Sequence, residues 1–582
     1  MVSMTPVEDQ VRARHVASPL ELALLGLACG LGCARGVAPY PPEAPLWRDP
    51  DRQPFAAQLE PAFSPKRWDA VDKSLLRPVS EFFAMRPEGE SINVNAFDEV
   101  PDSSWFENRA LRGLTPEAAA LGPCPDVALS AEGPWLIKSA KPDGADPGFV
   151  IKAPDGSRYL VKLDEPVQSV RTSAADVVGS RIYHAAGFDT PCNTIVVFEP
   201  SILHIAPGAH AETDTGEEIA FSEEDLRKVL ARAERGPSGR YRGVASLYLS
   251  GRPLGPWTYE GIRRDDRNDV VAHEDRRELR GSRLLAAWTD HSDQRDQNTL
   301  AMWIESGDGR GYVRHHLLDF GDCFGSLWVG PAEQTWRREH AYWFEPGQIL
   351  VDFSTFGALE RPWDRAKLGP SGLVFGYYAV PGFDPEGWRP TYPNPAFSRM
   401  SERDAAWMAR ILARLSEPHI EAIVRTAELE PELHGELVRT LVGRRRVILE
   451  RYLTRLSPLS DPVVITRGGE PWLCLRDWAV SSKIASGRRR YVVRASFGGR
   501  QDPAQPLALA ASTPGEACIA LRQLSTLEPA GGYWSLRVAA LDDAAPGAAR
   551  RGRHAPYPLD VHVYDQGSGR FLLAALERPA FD

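Results

Sequence analysis

The sequence predicts an α+β fold built from stretches of different character. Three observations predict it. Residues 134–261 carry short alternating runs broken by tight-turn signals, whereas residues 262–457 carry long helical periodicities. Residues 458–582 return to short alternating runs between loops rich in Gly, Pro and Asp. A chain of 582 residues is too long for one ordinary domain. Its 43% apolar and 25% charged residues are globular proportions.

The first stretch opens with three antiparallel strands, Trp135–Lys141, Phe149–Ala153 and Arg158–Leu163. The turns between them are P-D-G-A-D-P-G (Pro142–Gly148) and P-D-G-S (Pro154–Ser157), the second a strong hairpin signal. Lys162 lies in the third strand, and side-chain alternation sends it to the face opposite Val161 and Leu163. Such a lysine either directs its charge toward a nucleotide's phosphates or stands in water on an edge strand. A helix follows, with Ser173 as N-cap, Gly187 as C′ residue and an apolar face of Val178, Ile182 and Ala185. Asp176 falls in its first turn. It either orients Lys162 or is an acid favoured by the helix dipole. Thr194–Phe198 and Tyr241–Leu249 are further strands around a polar, helical insertion at Glu212–Glu234. The Gly/Pro break Ser250–Pro256 is where a hinge between two lobes would fall, and nucleotides bind in such clefts.

The chemistry concentrates between Trp288 and Ser326. His291, Asp293 and Asn298 form an H-x-D-x-x-x-x-N pattern, and Asp319-Phe320-Gly321 follows the apolar pair Leu317-Leu318. In phosphoryl transfer an Asp in the first pattern receives the proton of the attacking group. The Asn and the second Asp hold metal ions that bridge the nucleotide phosphates. Oxygen ligands such as Asn298 and Asp319 suit those hard cations. A β-hairpin, Thr299–Ile304 and Tyr312–Leu318 joined by the turn Ser306–Gly311, brings the two patterns together. The alternative is an acidic, polar loop beside a buried strand. Asp296 reads as a solvated loop acid, or as an aid to metal or substrate.

With these parts in order, residues 134–457 resemble the protein-kinase-like superfamily, and its atypical members more than ordinary Ser/Thr kinases. The helix ending A-A-G after a carboxylate is similar to the HipA-type and phosphatidylinositol-kinase-like branches. H-S-D-Q-R-D-Q-N with L-L-D-F-G-D is similar to aminoglycoside and choline phosphotransferases. The resemblance implies a two-lobed fold, with an antiparallel β N-lobe over 134–261 and a mainly helical C-lobe over 262–457. It implies Lys162 on the phosphates, Asp176 orienting it and Asp293 as catalytic base. Asn298 and Asp319 would hold Mg2+ with ATP as donor, and His291 would be structural. The chain has neither a G-x-G-x-x-G loop nor an A-P-E segment, so a phosphate cradle must come from backbone N–H groups. The implied activity is ATP- and Mg2+-dependent phosphotransfer to an unknown protein or small molecule. The rivals are a catalytically inactive kinase-like scaffold at the cell envelope and nucleotidyl transfer from the same site.

Within 262–457, His273–Asp290 predicts a helix feeding the catalytic loop, with Leu284, Leu285 and Trp288 toward the core. Trp328–Phe397 is an aromatic, Pro-rich insertion, and three helices follow: one capped by Ser401-x-x-Asp404, then Pro418–Thr426 and Glu432–Leu456. Six alternating runs after residue 458 predict a C-terminal all-β domain resembling a sandwich or barrel. Before the core, residues 66–133 predict an extension that packs on it, with a short helix around Trp68–Phe83 and an aromatic packing anchor at Trp105-Phe106.

Residues 1–65 predict a signal-like N-terminus and a Pro-rich linker. The apolar run Leu22–Leu31 is too short to span a bilayer and fits a secretory h-region. Cys29 or Cys33 resembles a bacterial lipoprotein acceptor, which would give a lipid tether to the envelope; the alternative is a plain N-terminal extension in a cytoplasmic protein. Seven dispersed cysteines lack metal-ligand spacing and do not form an evident disulfide framework, although a Cys124–Cys192 bridge is open. A net charge of −10 predicts no nucleic-acid partner, and the runs Arg444–Arg446 and Arg488–Arg490 read as solvated faces or helix-end charges.

Overall fold

A computed structural model describes residues 40–579 apart from 58, 63–70, 86–88, 126–128, 142–145, 213–217, 327–338, 362, 364–366, 487–488, 499–504, 508, 510–512, 529–531 and 542–556. Cys29 and Cys33, the middle of the first turn, Trp336 and Arg488 therefore lie outside the described residues. The fold is mixed α and β with several sheets.

A seven-stranded sheet organises the first part. Its strands are β1 (Trp135–Ala140), β2 (Gly148–Lys152), β3 (Arg158–Leu163), β4 (Asn193–Phe198), β5 (Leu203–Glu212), β6 (Glu218–Ala220) and β7 (Tyr241–Leu247). Their order is β4-β7-β3-β2-β1-β5-β6, and only the β1–β5 pair is parallel. One face buries Trp135, Ile137, Phe149, Ile151, Val161 and Phe198. Between β3 and β4 runs the helix α1 (Arg171–Ala186), buried along almost its whole length. The polar insertion is only partly helical: β5 and β6 pair across it before the helix Glu223–Arg232, which Ser222 caps in a capping box.

The helical part begins with α2 (Arg277–Thr289). It is preceded by a separate turn at His273–Asp275, so the predicted continuous helix breaks at Arg276. Leu284, Leu285 and Trp288 are fully buried. Strands β8 (Thr299–Gly307) and β9 (Arg310–Leu317) form the hairpin, extended by Phe55–Ala56 on one side and Arg252–Pro253 on the other. After it come α3 (Glu402–Arg414), α4 (Glu417–Arg425) and α5 (Pro431–Tyr452). Ser401 and Asp404 complete the predicted capping box on α3. A helix at Pro346–Thr355 was not anticipated within the aromatic insertion.

The last stretch forms a three-stranded sheet (Leu459–Arg467, Glu470–Asp477, Glu516–Ala520) and a five-stranded one. All six predicted runs are strands; Leu459–Arg467 and Gln505–Leu507 escaped notice. The two sheets enclose a core that includes Leu473, Leu475, Val493, Leu536, Val538 and Val561.

Two expectations fail for clear reasons. The cysteines form two disulfides: Cys124–Cys192, the bridge left open by the sequence, and Cys474–Cys518, unanticipated because a pairing 44 positions apart leaves no local spacing to detect. The Arg-rich runs are solvated only in part: Arg446 and Arg490 are exposed, but each run also buries an arginine. Arg444 is fully buried, bonded to Glu339 Oε1 at 2.5 Å and stacked 3.7 Å over the Phe383 ring. Arg489 is likewise buried against Asp477 at 3.0 Å.

Asp98, in the left-handed region at φ 57°, ties distant parts of the chain together. Its carboxylate pairs with Arg277 on α2, with Arg578 at 2.5 Å and with Arg410 on α3 at 3.5 Å. Burial would raise its pKa, but the three guanidinium groups outweigh burial and hold it well below the usual carboxylate range. Breaking one arm of such a buried network strands the remaining charge. Arg578→Ala is therefore expected to cost about 3 kcal/mol, read as a lower urea midpoint by tryptophan fluorescence, while Arg570→Ala on the surface leaves the midpoint in place.

Candidate active site

Strand β3 is central, hydrogen-bonded on both sides: Lys162 faces Gly148 of β2 and Val244 of β7. The edge-lysine alternative therefore does not hold, and Lys162 is 4% exposed. Period-two alternation puts Lys162 and Asp164 on one face, toward α1. Each makes a stitch to that helix. Asp164 accepts from the Ser173 backbone N–H at 2.8 Å and from its hydroxyl at 2.6 Å. Lys162 pairs with Asp176. This corrects the predicted start of the helix. It begins at Arg171, Ser173 is inside it, and the cap-like carboxylate comes from Asp164, nine residues back. Asp176 is consequently beyond the first turn, and the dipole explanation for it lapses.

The Lys162 amine also donates to Asp319 Oδ1 at 2.8 Å. Asp176 Oδ1 accepts from the Phe320 N–H at 2.9 Å, so one carboxylate holds both the lysine and the backbone of the D-F-G turn. Burial opposes the charge on Lys162, yet Asp176 and Asp319 outweigh it and raise its pKa. Burial pushes the Asp176 carboxyl up to about 6 against the pull of Lys162. Asp319 goes the other way: burial is outweighed by Lys162 and Lys141, and its carboxyl is held well below the usual range. Its side chain is 42% exposed where that of Asp176 is 1%, so Asp319 is the member of the trio that faces solvent. Asp319 sits at φ 54°. Its carbonyl accepts from His291 Nε2 at 3.1 Å, and His291 Nδ1 accepts from the Tyr183 hydroxyl at 3.1 Å.

The hairpin brings the second set alongside. Thr299 pairs with Leu317, and the Leu318 N–H donates to the Asn298 carbonyl at 2.9 Å, so Asn298 and Asp319 leave the base of neighbouring strands together. Asn298 Nδ2 donates to the Asp293 carbonyl at 2.8 Å and to Asp293 Oδ2 at 3.0 Å. Arg295 Nε lies 3.1 Å from the other carboxylate oxygen. Burial raises the Asp293 pKa against the pull of Arg295, and Asp322 and Asp319 push it the same way. Asp296 turns aside: it accepts from the Tyr259 N–H at 3.2 Å and lies 3.4 Å from the buried Lys73 amine, so it is neither solvated nor part of the cluster.

Several contributors were missed. Asp322 Oδ2 accepts from the Asp293 N–H at 2.7 Å and from the Ser292 hydroxyl at 2.9 Å, clamping the D-F-G turn to the catalytic-type loop. Its Oδ1 is buried with no hydrogen-bond partner. The only sequence signal was a fourth letter, Asp, after D-F-G. Arg171 donates to the Gly321 carbonyl at 2.5 Å and the Cys323 carbonyl at 3.1 Å, and nothing in a helix-start arginine announces that role. Lys141, at the end of β1, adds a second cation near Lys162; burial and Lys162 together lower its pKa.

The four carboxylates Asp176, Asp293, Asp319 and Asp322 converge here with the Asn298 amide, a donor set of oxygens suited to a hard divalent cation. The orphaned Asp322 oxygen and the solvent-facing Asp319 carboxylate fit that demand. His291, Asp322 and Cys323 also bring ligand atoms within 4.8 Å of one another. Burial pushes the Cys323 thiol well up.

No protein-family model matches the sequence, and no curated protein matches it. Among solved structures, the Golgi casein kinase is similar at 10% identity and a TM-score of 0.23, over 58% of this chain and 83% of that one. The Golgi casein kinase with Mn/ADP bound gives 12% identity and 0.20, over 58% and 82%. S. aureus TarS 217–571 gives 9% identity and 0.15, over 31% and 62%. Likenesses at these scores carry no argument about fold or activity.

Phe320 packs against α1 where Gly179 leaves room: a Cβ there would lie 2.7 Å from Phe320 Cβ. Gly179→Ala should overpack this contact and cost about 1–3 kcal/mol, measured by urea unfolding. A wild-type midpoint in this variant would mean that Phe320 is not held against the helix.

Proposed function

We propose that the chain is an ATP- and Mg2+-dependent phosphotransferase of unknown acceptor. Residues 134–261 would form the nucleotide-side lobe, 262–457 a helical lobe and 458–582 an appended β domain. The observation that carries the reading is Lys162 Nζ, shared between Asp176 and Asp319 Oδ1 at 2.8 Å, with Asp293 and Asn298 at the base of the adjoining hairpin.

In this reading Lys162 orients the phosphates of the donor, and Asp176 keeps its amine charged and aimed. Asn298 and Asp319 would hold magnesium, which when bound neutralises charge on the phosphate oxygens. Asp293, fixed on one oxygen by Asn298 and on the other by Arg295, accepts the proton of the attacking hydroxyl. Burial raises its pKa, the direction that makes a carboxylate a better proton acceptor. Asp322 holds Asp293 by its backbone, so the base and the metal-side Asp319 move as one unit. His291 fixes the Asp319 carbonyl from behind.

A second reading is favoured by the two disulfides. Disulfides persist in oxidising compartments, where ATP is scarce, and this supports a kinase-like scaffold or lipoprotein at the cell envelope. No helix among the described residues is long and apolar enough to cross a membrane. Labelling of the full chain with radioactive palmitate, lost in Cys29→Ser or in Cys33→Ser, is expected if a lipid tethers the N-terminus; unlabelled wild-type protein excludes the tether.

For the active-enzyme reading, ATP with Mg2+ should raise the melting temperature of the wild type, and neither EDTA-treated protein nor Asp319→Ala should respond. Asp293→Ala should still bind but lose about 10²-fold or more in phosphoryl transfer or ATP turnover. Binding without turnover in the wild type would support the scaffold, and no magnesium-dependent shift at all would defeat both nucleotide readings.

A further inference from the structure

Helix α1 also carries a buried charge outside the Lys162 cluster. Arg181 is 5% exposed. Its Nε donates to the Ala120 carbonyl at 2.6 Å, and NH1 donates to the carbonyls of Val177 at 3.2 Å and Asn193 at 2.6 Å. NH2 has two N–H bonds to give, and its one contact is Cys124 Sγ at 3.7 Å. No carboxylate among the described residues pairs with the guanidinium. Burial alone accounts for its pKa, drawn down to about 10. Buried charges in proteins are ordinarily paired, because an unpaired one loses its hydration without compensation.

The same guanidinium lines a cavity of about 240 Å3. The remaining walls are mainly apolar: Leu121, Leu129, Leu247, the Tyr159 ring and the Cys124–Cys192 disulfide. At roughly 30 Å3 for each water-sized group, the space takes a short aliphatic chain with a small head group. The head group is specified by the donors left over. Nε and NH1 are committed to carbonyls, so the parallel two-point grip with which arginine holds phosphates is not available. One N–H direction remains, which suits a single carboxylate oxygen.

We propose that this cavity is a binding site for a small amphiphilic carboxylate, its oxygen on Arg181 NH2 and its tail between Leu121, Leu129 and Leu247. The site is separate from the Lys162 cluster and does not depend on the activity assigned to that cluster. Such a ligand brings a negative charge to Arg181 and apolar surface to the leucines.

The test is calorimetric titration of the full chain with sodium octanoate, with octanol and sodium acetate as comparators. Saturable octanoate binding is expected, with both comparators at least about tenfold weaker, because each lacks one of the two elements. Leu247→Trp, which fills the cavity from strand β7, should weaken octanoate at least about tenfold without displacing the urea midpoint. The proposal is overturned by absence of saturable octanoate binding, by octanol binding as tightly as octanoate, or by a folded Leu247→Trp that binds as the wild type does. The ligand comparison uses the wild type alone, so it decides the matter even where the variant does not fold.

Discussion

A single ammonium group buried between two carboxylates sets the conditions for everything around it. Lys162 could not stay charged at 4% exposure without Asp176 and Asp319, and those two could not approach one another without Lys162. The interaction joins three elements distant in sequence: a sheet strand, a helix and the turn after a hairpin. Asp176 makes the junction tight, since its second oxygen holds the Phe320 backbone. Removing the lysine alone would leave facing acids in a site from which water is largely excluded, a loss of about 3–5 kcal/mol by comparison with other broken buried pairs. Position and charge are thus the same property here. Whatever binds beside Asp319 meets a carboxylate already drawn toward Lys162 rather than one free to swing.

Much of this arrangement was legible in the chain. The alternation around Val161, Lys162 and Leu163 placed the lysine on the opposite face from its apolar neighbours, and the hairpin between Asn298 and Asp319 followed from strand periodicity and a Gly-rich turn. Local patterns suffice for such features because they arise from local geometry. What escaped were interactions between distant groups. Asp164 acts as the cap of α1 from the preceding strand, so a search for a capping residue beside the helix settled on Ser173 instead. Asp322 acts on the Ser292–Asp293 loop and Arg171 on carbonyls of the D-F-G turn, and no residue type advertises that. Arg444 defeated the usual rule for charged runs by stacking on Phe383 and Tyr378, because a planar guanidinium tolerates burial where an ammonium would not.

The polar interior extends well past the Lys162 cluster. Arg277 and Arg280 on α2 converge on Asp404, the residue that also closes the capping box of α3, while Ser91 donates to the same carboxylate at 2.7 Å. The helix that precedes Asp293 is therefore pinned by charge at its start and by Leu284, Leu285 and Trp288 further along. Segments outside the sheet and helices, notably residues 91–109, are structural partners of that helix rather than an accessory. Trp105 lies stacked on His315 of β9 at 3.4 Å, which couples the same segment to the hairpin.

The Arg578–Asp98 contact spans 480 positions, nearly the whole chain. A nascent polypeptide leaving the ribosome would expose Asp98, Arg277 and Arg410 long before residue 578 is synthesised. Until then the cluster is one cation short, and the α2–α3 region is held open to rearrangement. Completion of this cluster is therefore late, since a contact this non-local has to wait for its loop to close. A chain that stops before residue 578 would thus leave Asp98 with two of its three guanidinium partners.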